Sequence, residues 1–173
     1  MKPLAFIFQD WSANARNGKG RAVLVLFRLA QMLTRAPAPV RVLAVPYFVF
    51  YRVIVEWFLG IELRRTTRVG PRLALHHGQS LVVNDRAVIG ADCILRHATT
   101  IGHKAADGGC PRIGDRVDIG PNVVILGNIA VGNDVVIGAG SVVVKDVPAN
   151  AVVAGNPAVI LRIRQPADES APH

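Results

Sequence analysis

Five histidines (His76, His77, His97, His103 and His173) and two cysteines (Cys93 and Cys110) are the side chains of this 173-residue sequence best suited to proton transfer or nucleophilic attack. An imidazole titrates near neutrality, so it can accept and return a proton under ordinary conditions. Two cysteines are too few to staple a secreted fold, and a reducing, cytoplasmic setting is expected. The chain carries 20 Lys+Arg against 12 Asp+Glu, a net +8. Eight basic and two acidic side chains fall within residues 1–60, so the basic bias belongs to the N-terminal third. An anionic membrane surface, at the inner face of the membrane, or a phosphate-bearing ligand suits such a segment, as do solvated helix faces. Hydrophobic residues make up 51% of the chain and aromatic residues only 6%. That balance argues against disorder and against base stacking, so no nucleic acid partner is expected.

The elements that must position these side chains change character near Ile61. Before it, two helices are expected. Residues 20–35 place Arg21, Arg28 and Arg35 on one stripe and Val23, Leu26, Phe27, Ala30 and Leu33 on the other face, an amphipathic helix with a basic edge. Residues 39–58 form the second, with a kink at Pro46 and a stop at Gly60. The longest charge-free run there, Val42 to Tyr51, is ten residues, well short of the roughly 20 that a spanning helix needs. The first eight residues lead into Gln9-Asp10-Trp11 and not into a small-residue cleavage site, so no targeting segment is expected.

After Ile61 the helical period gives way to a period of six. Val83, Ile89, Leu95 and Ile101, then Ile113, Ile119, Ile125, Val131, Ile137 and Val143, are all aliphatic. A second series, Leu63, Val69, Leu75 and Leu81, precedes the first by a two-residue slip. Such a repeat fits a solenoid whose every face is one short strand, the aliphatic residue pointing inward. Small residues four places on (Ala87, Cys93, Thr99 and Ser141) fill the interior beside it, which makes Cys93 a core residue. Residues 104–112 interrupt the repeat as a loop.

The hexads resemble the hexapeptide-repeat acyltransferases, and the stretches IELRRTTRVGPRLALHHGQS, LVVNDRAVIGADCILRHATTIGHK and PRIGDRVDIG onward look like the serine acetyltransferase family. Its polysaccharide-biosynthesis branch, which includes the colanic-acid acetyltransferases, is the nearest likeness, with Gln9-Asp10-Trp11, Asn14, Asn17 and Lys19-Gly20-Arg21 adding to it. The resemblance implies a mainly β chain: a left-handed parallel β-helix of roughly five coils over residues 61–164, after a helical segment at 1–60 and before a flexible tail at 165–173. It implies acetyl-CoA as cosubstrate and no metal. His77 falls at the family's general base and Glu62 at its acidic partner, where glutamate replaces aspartate. One coil is about eighteen residues, so the two can lie close on successive coils. The base takes the acceptor's hydroxyl proton as oxygen attacks the thioester, and direct transfer leaves Cys110 without a nucleophilic role. The alternative for Glu62 is a salt bridge to Arg64, Arg65 or Arg68.

The string IGAGSVVV with Lys145, then Gly155-Asn156-Pro157-Ala158, resembles the family's CoA-binding end. It implies pantetheine contacts at Gly138, Ala139, Gly140, Ser141, Gly155, Asn156 and Pro157, with Lys145, Arg162 or Arg164 meeting phosphates. Departures from the family bear on the acceptor. Cysteine-pathway serine acetyltransferases carry aspartate before the base and an Arg-His pair before the loop proline, where this chain has His76 and Gly109-Cys110. A neutral sugar hydroxyl, on a lipid-linked or nucleotide-linked acceptor, is therefore favoured, with His76, Asn84, Asp85 and His97 as its hydrogen-bond partners. Serine O-acetylation is the alternative. γ-type carbonic anhydrases share such a solenoid, but their zinc needs two histidines five residues apart, and His97 and His103 are six apart. A non-catalytic scaffold is the remaining class. The resemblance also implies a homotrimer with sites between subunits, and peripheral membrane contact through residues 1–60 is a further expectation.

Overall fold

The computed structural model describes residues 3–105 and 108–165; residues 106 and 107 of the expected loop, all but the first residue of the tail, and His173 lie outside the described residues. From Ile61 onward the chain winds as a parallel β-solenoid of about five turns with three flat faces. The first face stacks β1 (Ile61–Leu63), β4 (Leu81–Val83), β7 (Thr100–Gly102), β10 (Val124–Leu126) and β13 (Val142–Val143). The second stacks β2 (Arg68–Val69), β5 (Val88–Ile89), β8 (Arg112–Ile113) and β11 (Ala130–Val131). The third stacks β3 (Ala74–His76), β6 (Ile94–Arg96), β9 (Asp118–Ile119), β12 (Val136–Ile137) and β14 (Ala151–Gly155), and ends on β15 (Ala158–Ile163), which pairs antiparallel with β14.

All ten aliphatic residues of the main series are buried, as are Ala87, Cys93, Thr99 and Ser141 beside them. Each inward Val, Leu or Ile contributes about 1.5–3 kcal/mol of burial free energy, and the stack makes the core continuous along the axis. Burial pushes the Cys93 thiol up to about 11, in keeping with a core role. Neighbouring coils approach closely at the corner that follows the second face. A Cβ at Gly70, Gly90, Gly114 or Gly132 would sit within 2.5 Å of an atom in the next coil, so no larger residue fits there.

Register explains the two irregularities of the repeat. Val82 pairs with Thr100 and Val124 with Val142, each eighteen residues on. Ile61 pairs with Leu81, twenty on. Ala74 to Val82 covers eight steps where their partners Ile94 to Thr100 cover six, so the two-residue slip is an enlarged corner holding residues 77–80. Thr100 pairs with Val124, twenty-four on. The six extra residues lie between β7 and β8, and because six is one whole hexad the phase survives them.

The helical segment departs from expectation in three ways. A short helix α1 (Pro3–Ile7) precedes the expected ones, and α2 spans Gly18–Thr34. The expected helix at 39–58 is three pieces: α3 (Ala38–Leu43), α4 (Val45–Tyr51) and a π-helical stretch Arg52–Phe58, ending at Gly60 with φ +64°. Pro46 has no N–H to offer and its ring crowds the preceding turn, which accounts for the break at Ala44. Arg28 does not belong to a solvated basic edge. It is 1% exposed, bonded through Nε and Nη2 to the Asp10 carboxylate and through its two Nη atoms to the carbonyls of Val69 and Gly70.

These helices close the open end of the solenoid. Asp10 accepts from Leu73 N, Asn14 bonds both Leu73 O and Leu75 N, Asn17 donates to Leu75 O, and Gln31 donates to Thr67 O. Tyr51 donates its hydroxyl to Leu63 O, and burial raises its pKa. The first coil has no coil beneath it to satisfy its backbone, and side chains of the helical segment take that place on all three faces. Gly20 permits the approach, since a Cβ there would meet Asn17, Asn14 and the Leu75 carbonyl at 2.7–2.9 Å. Val23, Leu24, Phe27, Tyr51 and Val55 join the solenoid's aliphatic residues in one core.

Candidate functional site

The enlarged corner between β3 and β4 presents His77. Its backbone sits in the left-handed region, φ +65°, followed by Gly78 at +68° and Ser80 at +56°. For a non-glycine residue that conformation is uncommon; the next coil lies on one side of this corner, bonded through Ala98 N to Gln79 O, and the capping segment on the other. The His77 side chain is exposed and opens on a cleft of about 450 Å³ whose other wall is residues 12–17 of the capping segment, with His76 beside it. That wall is the part of the site that sequence reasoning missed. Its signal was the polar run holding Asn14 and Asn17 just before an amphipathic helix, read only through resemblance.

One coil up the same edge lies His97, its ring 5.9 Å from that of His77 and nearly perpendicular to it. The Nδ1 of His97 is buried with no hydrogen-bond partner among the described residues. The structure thus brings His76, His77 and His97 together, and it gathers the remaining candidates elsewhere. Glu62, on the outward side of β1, lines a cavity of about 320 Å³ on the first face with Asn84, Asp85 and His103. Among the described residues no hydrogen bond or ion pair joins Glu62 to His77, and none joins it to Arg64, Arg65 or Arg68.

Asn84 is more committed than a free substrate contact would be. Its Nδ2 lies 3.1 Å from His103 Nδ1, and its Oδ1 accepts from Arg86 N at 3.0 Å and from Cys110 Sγ at 3.3 Å. Cys110 therefore anchors the end of the long loop to the first face. Gly109 beside it packs on Asn128, where a Cβ would meet the amide at 2.6 Å.

Of the residues expected to meet coenzyme A, Gly138, Ala139, Gly140 and Ser141 occupy the same edge as His77, further along. Backbone bonds climb it step by step: Ala98 N to Gln79 O, Asn122 N to His97 O, and Gly140 N to Pro121 O. Three coil spacings separate Gly140 from the His77 corner, about 14 Å along the axis. Ala139 and Gly140 are exposed, and Gly140, at φ +70°, carries no side chain to block an extended arm. Lys145, Arg162 and the turn through Gly155, Asn156 and Pro157 are exposed nearby in sequence and coil. Ser141 departs from the expectation. Its side chain is fully buried, donating to Gly138 O at 2.6 Å and accepting from Gly155 N at 3.3 Å, so its hydroxyl ties two pieces of this end together. Arg164 is likewise spent, its N bonded to Asn150 O and its guanidinium to Asp134 O.

Residues 110–145 match the bacterial transferase hexapeptide model of six repeats. The Escherichia coli K12 protein WcaB, which carries the name of a colanic acid biosynthesis acetyltransferase, is 43% identical over 122 residues, 70% of this chain and 75% of that protein. The chain belongs to the hexapeptide-repeat transferases. Serine acetyltransferase of Mycobacterium tuberculosis is 36% identical over 141 residues, 80% of this chain and 59% of its own length. Among solved structures, serine acetyltransferase of Neisseria gonorrhoeae superposes with a TM-score of 0.79 at 30% identity, covering 96% of this chain and 69% of that one. The Brucella abortus enzyme in complex with coenzyme A gives 0.77 at 30% identity, over 94% and 68%. Within the described residues of this family member no helix is long and apolar enough to cross a membrane.

Proposed function

We propose that this acetyltransferase moves the acetyl group of acetyl-CoA to a sugar hydroxyl during polysaccharide biosynthesis. The observation that carries the acceptor is the loop end beside the first face. Gly109 and Cys110 are packed against Asn128 and Asn84 there and themselves carry no charge for an amino acid's ammonium or carboxylate. A serine site must pair both charges in a partly dry cleft, where an unpaired one costs several kcal/mol. Hydroxyls of a sugar ask for hydrogen-bond partners without full charge compensation, and His76, Asn84, Asp85 and His97 are those partners in this reading.

In this reading acetyl-CoA is a substrate whose arm runs along the edge from Gly140 towards His77. His77, exposed in its cleft and flanked by the His97 ring, takes the acceptor proton on an imidazole nitrogen as the hydroxyl oxygen attacks the thioester carbonyl. The tetrahedral intermediate then breaks its C–S bond, and the departing coenzyme A thiolate receives the proton back from His77. Glu62 is the acidic partner that steadies it, and His97 lines the acceptor side. The active assembly is a homotrimer in which the His77 edge of one chain faces the first-face cavity of another, and the exposed apolar side of the helices rests on a membrane. Steady-state kinetics with free serine and with sugar acceptors tests the proposal. A higher specificity constant for sugars is the expected result, and a higher one for serine overturns it in favour of serine O-acetylation, the activity named for the structural neighbours.

A further inference from the structure

Nine of the chain's sixteen arginines fall into two groups. Arg28, Arg72, Arg96 and Arg116 are each matched to an aspartate: Asp10, Asp92, Asp118 and Asp134. Arg64, Arg65, Arg68, Arg86 and Arg112 are not. They have no ion pair and no side-chain hydrogen bond among the described residues, and the one contact recorded is Arg65 stacked 4.4 Å from the Phe48 ring. All five cluster about the edge between the first and second faces. Arg68 and Arg112 flank Val88 in strand register, two coil spacings or about 10 Å apart. Arg86 rises from the corner between them.

Three cavities open on this edge, and Asp85 lines all three. Arg68, Arg86 and Arg112 line the first, of about 380 Å³. The second, of about 240 Å³, is lined by Arg64 and Arg65 and bordered by α4 through Phe48 and Tyr51. The third is the Glu62 and Asn84 cavity, which Arg64 also lines. Asp85 opposes Arg68, Arg86 and Arg112 in the first cavity, Glu62 and Asp85 oppose Arg64 in the third, and in the second Asp85 and Glu56 stand against Arg64 and Arg65, with Glu56 already paired with Arg52. Like charges gathered this way are costly until an anion joins them, and a guanidinium's planar fork matches phosphate oxygens.

We infer that this arginine edge holds a diphosphate carried by the acceptor, a sugar joined through pyrophosphate to a nucleoside or a polyprenyl chain. The inference rests on the sugar-acceptor reading above. Position along the axis separates it from the phosphates of coenzyme A. The arginines stand on the first three coils, level with His77 and Glu62, whereas Gly140, Lys145 and Arg162 stand at the last. The Glu62 and Asn84 cavity then receives the sugar while its charged tether lies on Arg68, Arg86 and Arg112.

Calorimetric titration with inorganic pyrophosphate tests the site without turnover. The expected result is binding that persists at saturating acetyl-CoA and weakens about tenfold or more in Arg68→Gln/Arg86→Gln/Arg112→Gln, because each guanidinium supplies charge-assisted bonds. Arg72→Gln, on a different edge and paired with Asp92, should bind as the unaltered protein does. No binding, or displacement by coenzyme A, overturns the inference. In acetyl transfer, the ratio of kcat/KM for a diphosphate-linked sugar over the same free sugar should fall by a similar factor in the triple variant. Preference for a nucleoside-diphosphate sugar or for a polyprenyl-diphosphate sugar identifies the carrier, and equal rates on the free sugar and both carriers overturn the inference. Efficient turnover of serine would sink the acceptor reading instead, and the pyrophosphate site would then stand or fall on calorimetry alone.

Discussion

His77 presents an exposed imidazole in the left-handed backbone conformation that Ala98 and Asn122 share at later corners of its edge, and its own corner alone on that edge is enlarged by two residues. A positioned base of this kind contributes about a hundredfold or more to proton transfer, so His77→Ala should lower the acetyl-transfer rate by that order while coenzyme A binding, read by calorimetry, stays near its original strength. Glu62→Gln should cost less, since glutamine keeps an acceptor oxygen for the ring and His77 itself still takes the proton. Normal turnover by His77→Ala would move the base to His97. Part of this site was legible in the sequence as a break in rhythm. The slip between Leu81 and Val83 in the hexad series marks the enlarged corner, although nothing in residue type alone separated His77 from four other histidines. The burial of Ser141 follows from the same repeat. A serine in a glycine-rich string suits a ligand, but its place four residues after an inward aliphatic puts it inside the coil, where it bonds Gly138 and Gly155.

At the scale of elements, the solenoid was readable because each face repeats one physical demand every six residues, and all ten aliphatic positions of the main series are buried. The cap on its first coil was not, because its bonds run from side chains to backbone carbonyls and amides some sixty residues away, and backbone groups leave no trace in residue type. Arg28 illustrates this. Helical spacing placed it on a polar stripe, yet it is bound to Asp10 and to two carbonyls of the first coil. Removing one partner of such a buried pair strands the other, at a cost of about 3–5 kcal/mol. Asp10→Ala should therefore lower the melting temperature by roughly 6–20 °C, at about 2–4 °C per kcal/mol for a chain of this length. Circular dichroism would measure it. A shift under about 2 °C would mean that the bonds to Val69 and Gly70 hold Arg28 without its carboxylate.

At the scale of the whole molecule, a single chain leaves its parts short of partners. The His77 edge and the Glu62 cavity do not meet in one chain, and β15 exposes Val159, Ile160, Leu161 and Ile163. A threefold arrangement of flat-faced prisms brings an edge of one chain against a face of the next. Light scattering should accordingly give three times the 18.5 kDa chain mass, and a fully active monomer would sink the trimer. The helical cap poses a separate question. Tyr51 and Val55 turn inward, while Val42, Leu43, Val49, Phe50, Val53, Trp57 and Phe58 face outward, with Leu43 and Phe58 more than 80% exposed. Arg41 and Arg52 lie within this same stretch, Arg52 over the Trp57 ring at 5.7 Å. An apolar face with arginines among it is the pattern of helices that lie in the headgroup region, where buried apolar area and attraction to anionic lipid add together. Trimer packing would cover such a face whatever the salt, whereas a bilayer would hold it less strongly as salt rises, because attraction to headgroups is screened. Flotation with anionic vesicles at low salt should carry the protein upward. Zwitterionic vesicles should carry less of it, and Trp57→Ser/Phe58→Ser should lose most of the bound fraction while keeping the trimer's mass. If the protein stays at the bottom of the gradient with anionic vesicles at low salt, the cap does not meet a membrane.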